Sequence, residues 1–168
     1  MTLRFVFIPA AVVALILTGC VSKPEPIPAG YAGPRATVSD TSNPVSSVKI
    51  QFFELAKVDG RTVETSSQTT FRQNYGKGFA MDPALESREI PAKECLLTLE
   101  GVTHVAADIL AFGGGMYHVE GDVTVRLEPG HKYLVKGELS REYSAVWLED
   151  DSGHPVSTKI EKRRSAAK

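Results

Sequence analysis

The stretch "DVTVRLEPGHKYLVKGEL", residues 122–139, sets the fold class of the chain. Val123 and Val125 alternate with polar side chains, and a similar alternation returns over residues 131–139. A period of two places the apolar side chains on one face of an extended strand. Pro129-Gly130 lies between the two segments and is typical of a turn. The stretch therefore predicts two half-buried strands joined by a short connection.

Similar patterns continue on both sides of this stretch. Turn signals such as Asp59-Gly60 separate them, and no long stripe of helical period appears, although residues 81–89 favour one or two helical turns. Short strands broken by turns predict an all-β fold, an antiparallel β-sandwich. The expected strands are 36–40, 47–58, 62–71, 94–100, 102–111, 116–120, 122–128, 131–139, 143–149 and 155–161.

The segment "VTVRLEPGHKYLVKGEL", residues 123–139, resembles the strand-ProGly-strand hairpin of transthyretin-like and immunoglobulin-like β-sandwich modules. The resemblance implies a sandwich fold. It transfers no functional residue to this chain, because such folds serve many unrelated functions. We expect the sandwich to span residues 35–161 and a basic tail to follow at 162–168.

The first 19 residues differ in character from the rest of the chain. Arg4 precedes the apolar run "FVFIPAAVVALIL", residues 5–17, which is shorter than the roughly 20 residues of a membrane span. An early charge, a short apolar run and small residues at its end are the zones of a secretory signal peptide. The sequence therefore predicts a signal helix within residues 1–19.

Residues 17–20, "LTGC", resemble the lipobox of bacterial lipoproteins. The resemblance implies that the Cys20 thiol receives a diacylglycerol and that a signal peptidase cleaves between Gly19 and Cys20. Several acyl chains on one residue give a stable membrane anchor. In such lipoproteins an Asp directly after the lipidated cysteine often retains the protein at the inner membrane. The residue at this position is Val21, so the resemblance implies the outer membrane. The alternative is an ordinary signal peptide or signal anchor in which Cys20 has no role.

A proline-rich segment follows the lipobox. Residues 21–34, "VSKPEPIPAGYAGP", contain four prolines. Each proline fixes φ and removes a hydrogen-bond donor. The pattern predicts an extended, semi-rigid spacer of up to about 40 Å. We interpret residues 20–34 as the lipidated cysteine and its tether.

The composition is that of a globular protein, with 42% apolar and 23% charged residues. The net charge of −1 gives no general field for nucleic acid, and we expect no nucleic-acid partner. This balance hides an asymmetry, because residues 20–158 carry 13 basic and 19 acidic side chains while "KIEKRRSAAK", residues 159–168, has a net charge of +4. The basic end is interpreted either as a solvated terminus or as a contact for anionic headgroups or phosphates.

No catalytic pattern stands out in the sequence. The chain lacks a Gly-x-Ser-x-Gly elbow, and its four histidines lack the spacing of known zinc motifs. Once Cys20 carries lipid, Cys95 is the remaining cysteine, and its strand-like surroundings predict a buried small hydrophobic residue. We expect no catalytic residue, no metal and no cofactor apart from the covalent lipid on Cys20.

The segment "NYGKGFAMDP", residues 74–83, predicts an exposed loop that carries Tyr75, Lys77 and Phe79. Exposed aromatic side chains in loops contact proteins or stack on sugars. We therefore interpret the chain as a membrane-anchored envelope lipoprotein, a non-enzymatic binding or assembly module. Its expected partner is an envelope protein or peptidoglycan.

Two other functions remain open from the sequence. The first is a small-ligand carrier or sensor that uses the interior of the sandwich. The second is a small envelope hydrolase, for which Asp108 and Glu120 are candidate carboxylates.

Overall fold

The computed structural model describes residues 25–76, 81–106 and 115–164 of the chain. Within these ranges, no helix has the length and apolar character needed to cross a bilayer. The elements, in chain order, are β1 (Arg35–Ser39), β2 (Thr41–Ser46), β3 (Lys49–Val58), β4 (Arg61–Thr62), α1 (Ser66–Asn74), β5 (Ser87–Pro91), β6 (Glu94–Val105), β7 (His118–Arg126), β8 (Lys132–Leu139), β9 (Tyr143–Asp150) and β10 (Ile160–Arg163).

Several expectations concern residues outside these ranges. The signal helix, Gly19 and the lipid-bearing Cys20 lie outside the described residues. Lys77, Phe79 and Asp108 lie outside them as well. The proposed roles of these residues stay predictions.

The strands form two packed sheets. Sheet I has the order β10-β9-β8-β1-β5, and sheet II has the order β2-β3-β6-β7, with β4 also paired to β3. Neighbouring strands of the described residues run antiparallel except β1 and β8, which are parallel. The predicted all-β sandwich is confirmed, and the β1–β8 pair is its departure from a purely antiparallel arrangement.

Alternating side chains from both sheets fill the space between them. Val38 and Val135 of sheet I belong to one fully buried cluster with Leu55 and Leu99 of sheet II. Cys95 lies in the same cluster, and burial raises the pKa of its thiol. The prediction that Cys95 is a buried small hydrophobic residue is confirmed.

The two turn predictions have different outcomes. Asp59-Gly60 closes the β3–β4 hairpin with φ values of 49° and 76°, as a two-residue turn requires. Pro129-Gly130 joins β7 to β8, but β7 pairs with β6, whereas β8 pairs with β1 and β9. The hairpin implied by the family resemblance is therefore wrong. Both strands direct apolar side chains into one core from opposite sheets, so the connection crosses between sheets.

Two other expected elements are wrong, and two pairs of expected strands are merged. The strand expected at 62–71 is helix α1, and the helical turns expected at 81–89 are irregular chain followed by β5. The strands expected on either side of Gly101 form one strand, β6, and those around Gly121 form β7. Glycine at position 121 permits close packing across the sandwich, because a Cβ there would lie 2.8 Å from Ile160 Cγ2.

The described part of the tether is not fully extended. Tyr31 N donates a hydrogen bond to Pro28 O at 3.1 Å, and Gly30 between them has φ of 78°. A left-handed glycine at the third position of a turn reverses the chain. The expected extended conformation is therefore wrong at residues 28–31.

The sandwich has two ends, which we call the tether end and the distal end. At the tether end, β1 begins at Arg35, and Ala92 N and Gly130 N donate hydrogen bonds to Pro34 O and Arg35 O. The distal end holds the start of β3, the start of β9 and the end of β10, where Arg163 pairs with Tyr143. Strand β10 thus includes two residues of the expected basic tail. The chain enters the domain at one end and presents these cations at the other.

Candidate functional site: an exposed aromatic pair on helix α1

Helix α1 begins at a capping box. Gln68 N donates to Thr65 Oγ1 at 3.4 Å, and Thr65 N donates to the Gln68 side-chain oxygen at 3.3 Å. This reciprocal pair satisfies two backbone donors that helix geometry leaves free. The motif Thr-x-x-Gln is the sequence signal that identifies this helix start.

The side of α1 that faces the protein is polar. Its buried residues are Ser66, Ser67, Thr69 and Thr70. A surface helix of a globular protein normally buries an apolar stripe and exposes its polar side. Helix α1 therefore has no apolar stripe toward the protein, and hydrogen bonds rather than apolar packing hold its first turn to the sandwich.

Two buried carboxylates accept hydrogen bonds from the first turn of α1. Asp40, where the chain passes from β1 to β2, accepts bonds from Ser66 Oγ at 2.7 Å and Ser66 N at 3.2 Å. Glu54, on β3, accepts bonds from Ser67 N at 2.8 Å and Ser67 Oγ at 2.7 Å. Acceptors of negative charge suit a helix N-terminus, where backbone donors point outward. The first turn of the helix is thus fixed at the seam between the two sheets.

The two carboxylates differ in their counter-charge. Both terminal nitrogens of Arg88 donate to Asp40, each at 2.8 Å, and Arg88 Nη2 also donates to Glu64 O at 2.6 Å. Within the described residues, no Lys or Arg lies at ion-pair distance from Glu54, whose residue surface is 1% exposed. The pKa of Glu54 is raised to about 7. Burial is the largest cause and the charge of Asp40 adds to it, whereas the hydrogen bonds from Ser67 lower the pKa. Asp40 thus has a counter-ion, Arg88, whereas Glu54 has none among the described residues.

The outward side of α1 carries two aromatic rings. Phe71 is 61% exposed and Tyr75 is 80% exposed. Their ring centroids lie 6.1 Å apart at an interplanar angle of 60°, an edge-to-face arrangement. Tyr75, the C-cap residue, follows Phe71 by four positions, a spacing that places side chains on one face of a helix. We call Phe71 and Tyr75 the aromatic pair.

The base beneath the aromatic pair is held by side-chain hydrogen bonds. Asn74 Nδ2 donates to Thr70 O at 2.8 Å and to Asp82 O at 3.0 Å. Ala84 N donates to Thr70 Oγ1 at 2.9 Å. These bonds tie the end of α1 to the segment that returns toward β5. Phe71 therefore projects from α1 itself, and Tyr75 is the C-cap residue at its end.

Of the three residues of the predicted binding loop, only Tyr75 lies within the described residues, and its role in binding stays a prediction. Tyr75 lies at the end of α1 and is exposed, as expected. Phe71 was missed, because a strand expected at 62–71 gave no reason to pair it with Tyr75. A helical register from the Thr65 capping box would have placed both rings on one face.

A second group of titratable side chains lies on the outer face of sheet II. Glu54, Glu100 and Glu120 are in register across β3, β6 and β7. His118 Nε2 lies 3.1 Å from Glu100 Oε1. Burial raises the pKa of Glu100, with a further increase from Glu120 that His118 opposes. Glu120, one of the carboxylates considered for a hydrolase, is exposed on this open face, and the described residues contain no group of three metal-ligating side chains.

Comparison with protein families, with curated proteins and with solved structures finds no match to this chain. The site must therefore be interpreted from its own geometry. Its main features are an exposed aromatic pair, a polar buried helix side and an uncompensated carboxylate beneath the first turn.

Proposed function

We propose that this chain is a lipid-anchored lipoprotein of the bacterial envelope and that its β-sandwich is a non-enzymatic binding or assembly module. The lipobox at residues 17–20 supports the anchor, and the following prolines support a spacer. The partner is an envelope protein or the cell wall. The aromatic pair Phe71–Tyr75 is the proposed contact.

The exposed aromatic pair, beside a helix whose buried side is polar, carries this proposal. Folding buries hydroxyl side chains of the helix while two aromatic rings stay in water. Removing such rings from water is favourable, and aromatic side chains dominate the binding energy of many interfaces. A partner that covers the pair gains this free energy, which the isolated domain does not use.

The filled interior also favours contact at the surface. Core side chains of both sheets, such as Ile90, Leu97 and Val146, have no exposed surface. A groove of about 310 Å³ lies on the outside of the domain between residues 25–27 and β5. A module that binds through its surface accords with both observations.

Site-specific crosslinking in living cells tests the proposal. A photo-crosslinking phenylalanine analogue replaces Tyr75 in one strain and Phe71 in another. The matched control is Leu96, an exposed apolar residue near the tether end. We expect recurrent crosslinked products from positions 71 and 75 and none from position 96. A discrete protein band identifies an assembly partner, whereas products released by a muramidase identify the cell wall.

A substitution separates binding from simple exposure. With the probe at position 75, Phe71→Ser should lower the crosslinking yield at least about fivefold, since an interface aromatic of this kind contributes more than about 1 kcal/mol. The fold should be unaffected, because Phe71 is exposed. Equal yields from positions 75 and 96, or no product from any position, would contradict the proposed contact.

A further inference from the structure

The distal end of the sandwich holds two cations over one aromatic ring. Lys49 Nζ lies 5.9 Å from the centroid of Tyr117, and Arg164 Cζ lies 5.3 Å from the same centroid. Lys49 begins β3, Tyr117 precedes β7, and Arg164 follows β10. The fold thus brings together three elements that are far apart in the chain. We call these residues the Lys49–Tyr117–Arg164 cluster.

Local backbone structure positions both cations. Gly115 has φ of 76°, and a Cβ at this position would lie 2.5 Å from Lys49 Nζ. The absence of a side chain at Gly115 leaves the space that the ammonium group occupies. Arg164 N donates to Glu142 O at 3.0 Å, which fixes the chain immediately after β10. The backbone thus brings both side chains to the ring of Tyr117.

The charges of the cluster are not neutralised within the domain. In the described ranges, no carboxylate lies at ion-pair distance from Lys49 or Arg164. The two like charges that share the Tyr117 ring repel one another, and a bound anion removes that cost.

We propose that the Lys49–Tyr117–Arg164 cluster binds a phosphate group. An arginine guanidinium matches phosphate oxygens with two parallel donors, and a lysine ammonium adds a compact point charge. A phosphate monoester carries a charge of about −1.5 to −2 at neutral pH, close to the sum of the two cations. The cluster lies at the end of the sandwich opposite the tether end. The site does not depend on the aromatic pair.

Thermal unfolding of the full chain in a neutral detergent tests this site. The unfolding temperature is measured by Trp147 fluorescence in increasing inorganic phosphate and in sodium chloride of matched ionic strength. A ligand that binds the folded state alone raises the unfolding temperature in a saturable manner. We expect this saturable rise in phosphate and not in chloride.

Single substitutions locate the effect. Lys49→Gln and Arg164→Gln should each weaken the apparent phosphate affinity about tenfold, as expected for the loss of one charge-assisted contact. Lys132→Gln, an exposed lysine near the tether end, is the matched control and should retain the wild-type response. Phe71→Ser should also retain it, which separates this site from the proposed partner contact.

Detergent micelles doped with phosphatidylglycerol distinguish the source of the phosphate. Stabilisation by doped micelles that Lys49→Gln and Arg164→Gln abolish assigns the site to lipid headgroups. Stabilisation by inorganic phosphate without an effect of the doped micelles assigns it to a phosphate monoester outside the membrane. Equal curves in phosphate and chloride with no effect of doped micelles would overturn the proposal, as would an equal loss in Lys132→Gln.

Discussion

At the scale of single residues, Glu54 has the most unusual environment in the described chain. It lies on the outer face of β3 under the first turn of α1, and its carboxylate is bound by Ser67. Asp40 and Glu100 both add negative potential. A carboxylate in this environment favours the protonated form, because burial removes water without supplying a cation.

The raised pKa of Glu54 predicts a definite pH dependence of stability. The carboxyl group stays protonated in the folded chain up to pH about 7 but ionises near 4.5 in the unfolded chain, so stability falls as the pH rises through this window. The total loss is about 3 kcal/mol. Glu54→Gln resembles the protonated form and should be more stable than wild type by about this amount at pH 8.

Urea unfolding from pH 4.5 to pH 8 measures this difference. The two proteins should approach one another near pH 4.5, where the wild-type carboxyl is protonated. Glu94→Gln, at an exposed position on β6, is the control and should follow wild type at every pH. A wild type more stable than Glu54→Gln at pH 8 would show that Glu54 is ionised favourably in the folded chain.

At the scale of elements, α1 depends on its cap. Thr65→Ala removes one half of the capping box and should lower the free energy of unfolding by about 1 kcal/mol. Thr62→Ala, at an exposed site in β4, is the matched control and should change stability by less than about 0.5 kcal/mol. Chemical denaturation checks both variants. Equal effects of the two substitutions would show that the cap does not support α1.

Sequence patterns identified the strands well but missed the helix. Alternation indicated β3, β8 and the C-terminal half of β7, and the apolar run at residues 143–149 indicated β9. Residues 62–71 contain four threonines together with Val63 and Phe71, residue types that favour strands, and α1 has no apolar stripe to indicate a helix. The helix is set by the cap and by Asp40 and Glu54, whose burial depends on contacts distant in sequence. Apolar periodicity contains no information on such a polar interface.

At the scale of the whole molecule, the anchor makes the most direct prediction. Cys20→Ser should leave a precursor that retains residues 1–19 and incorporates no labelled fatty acid, because a hydroxyl is a far weaker nucleophile than a thiolate. Immunoblotting and metabolic labelling measure the two outcomes. Cys95→Ser changes the other cysteine, which lies in the core, and should still be processed and labelled. Normal processing of Cys20→Ser would exclude the lipoprotein interpretation.

The assembly of the sheets was beyond the reach of sequence patterns. Alternation at Val123 and Tyr133 shows that one face of each strand is buried, but it does not tell which sheet a strand joins. The connection at Pro129-Gly130 therefore suggested a hairpin where the chain crosses between sheets. The meeting of Lys49 with Arg164 follows from this three-dimensional arrangement and has no local signal.

The parallel pairing of β1 with β8 also constrains the order in which the protein forms. Sheet II joins strands in the order in which they follow along the chain, apart from the insertion of α1 and β5. The centre of sheet I instead pairs Val38 with Tyr133, contacts that close a very long loop and therefore form slowly. During synthesis the N-terminus emerges first. Strand β1 therefore cannot pair with β8 until most of the domain has been synthesised. Strand β1, which follows the tether, is thus among the last strands to pair with both of its neighbours, β5 and β8.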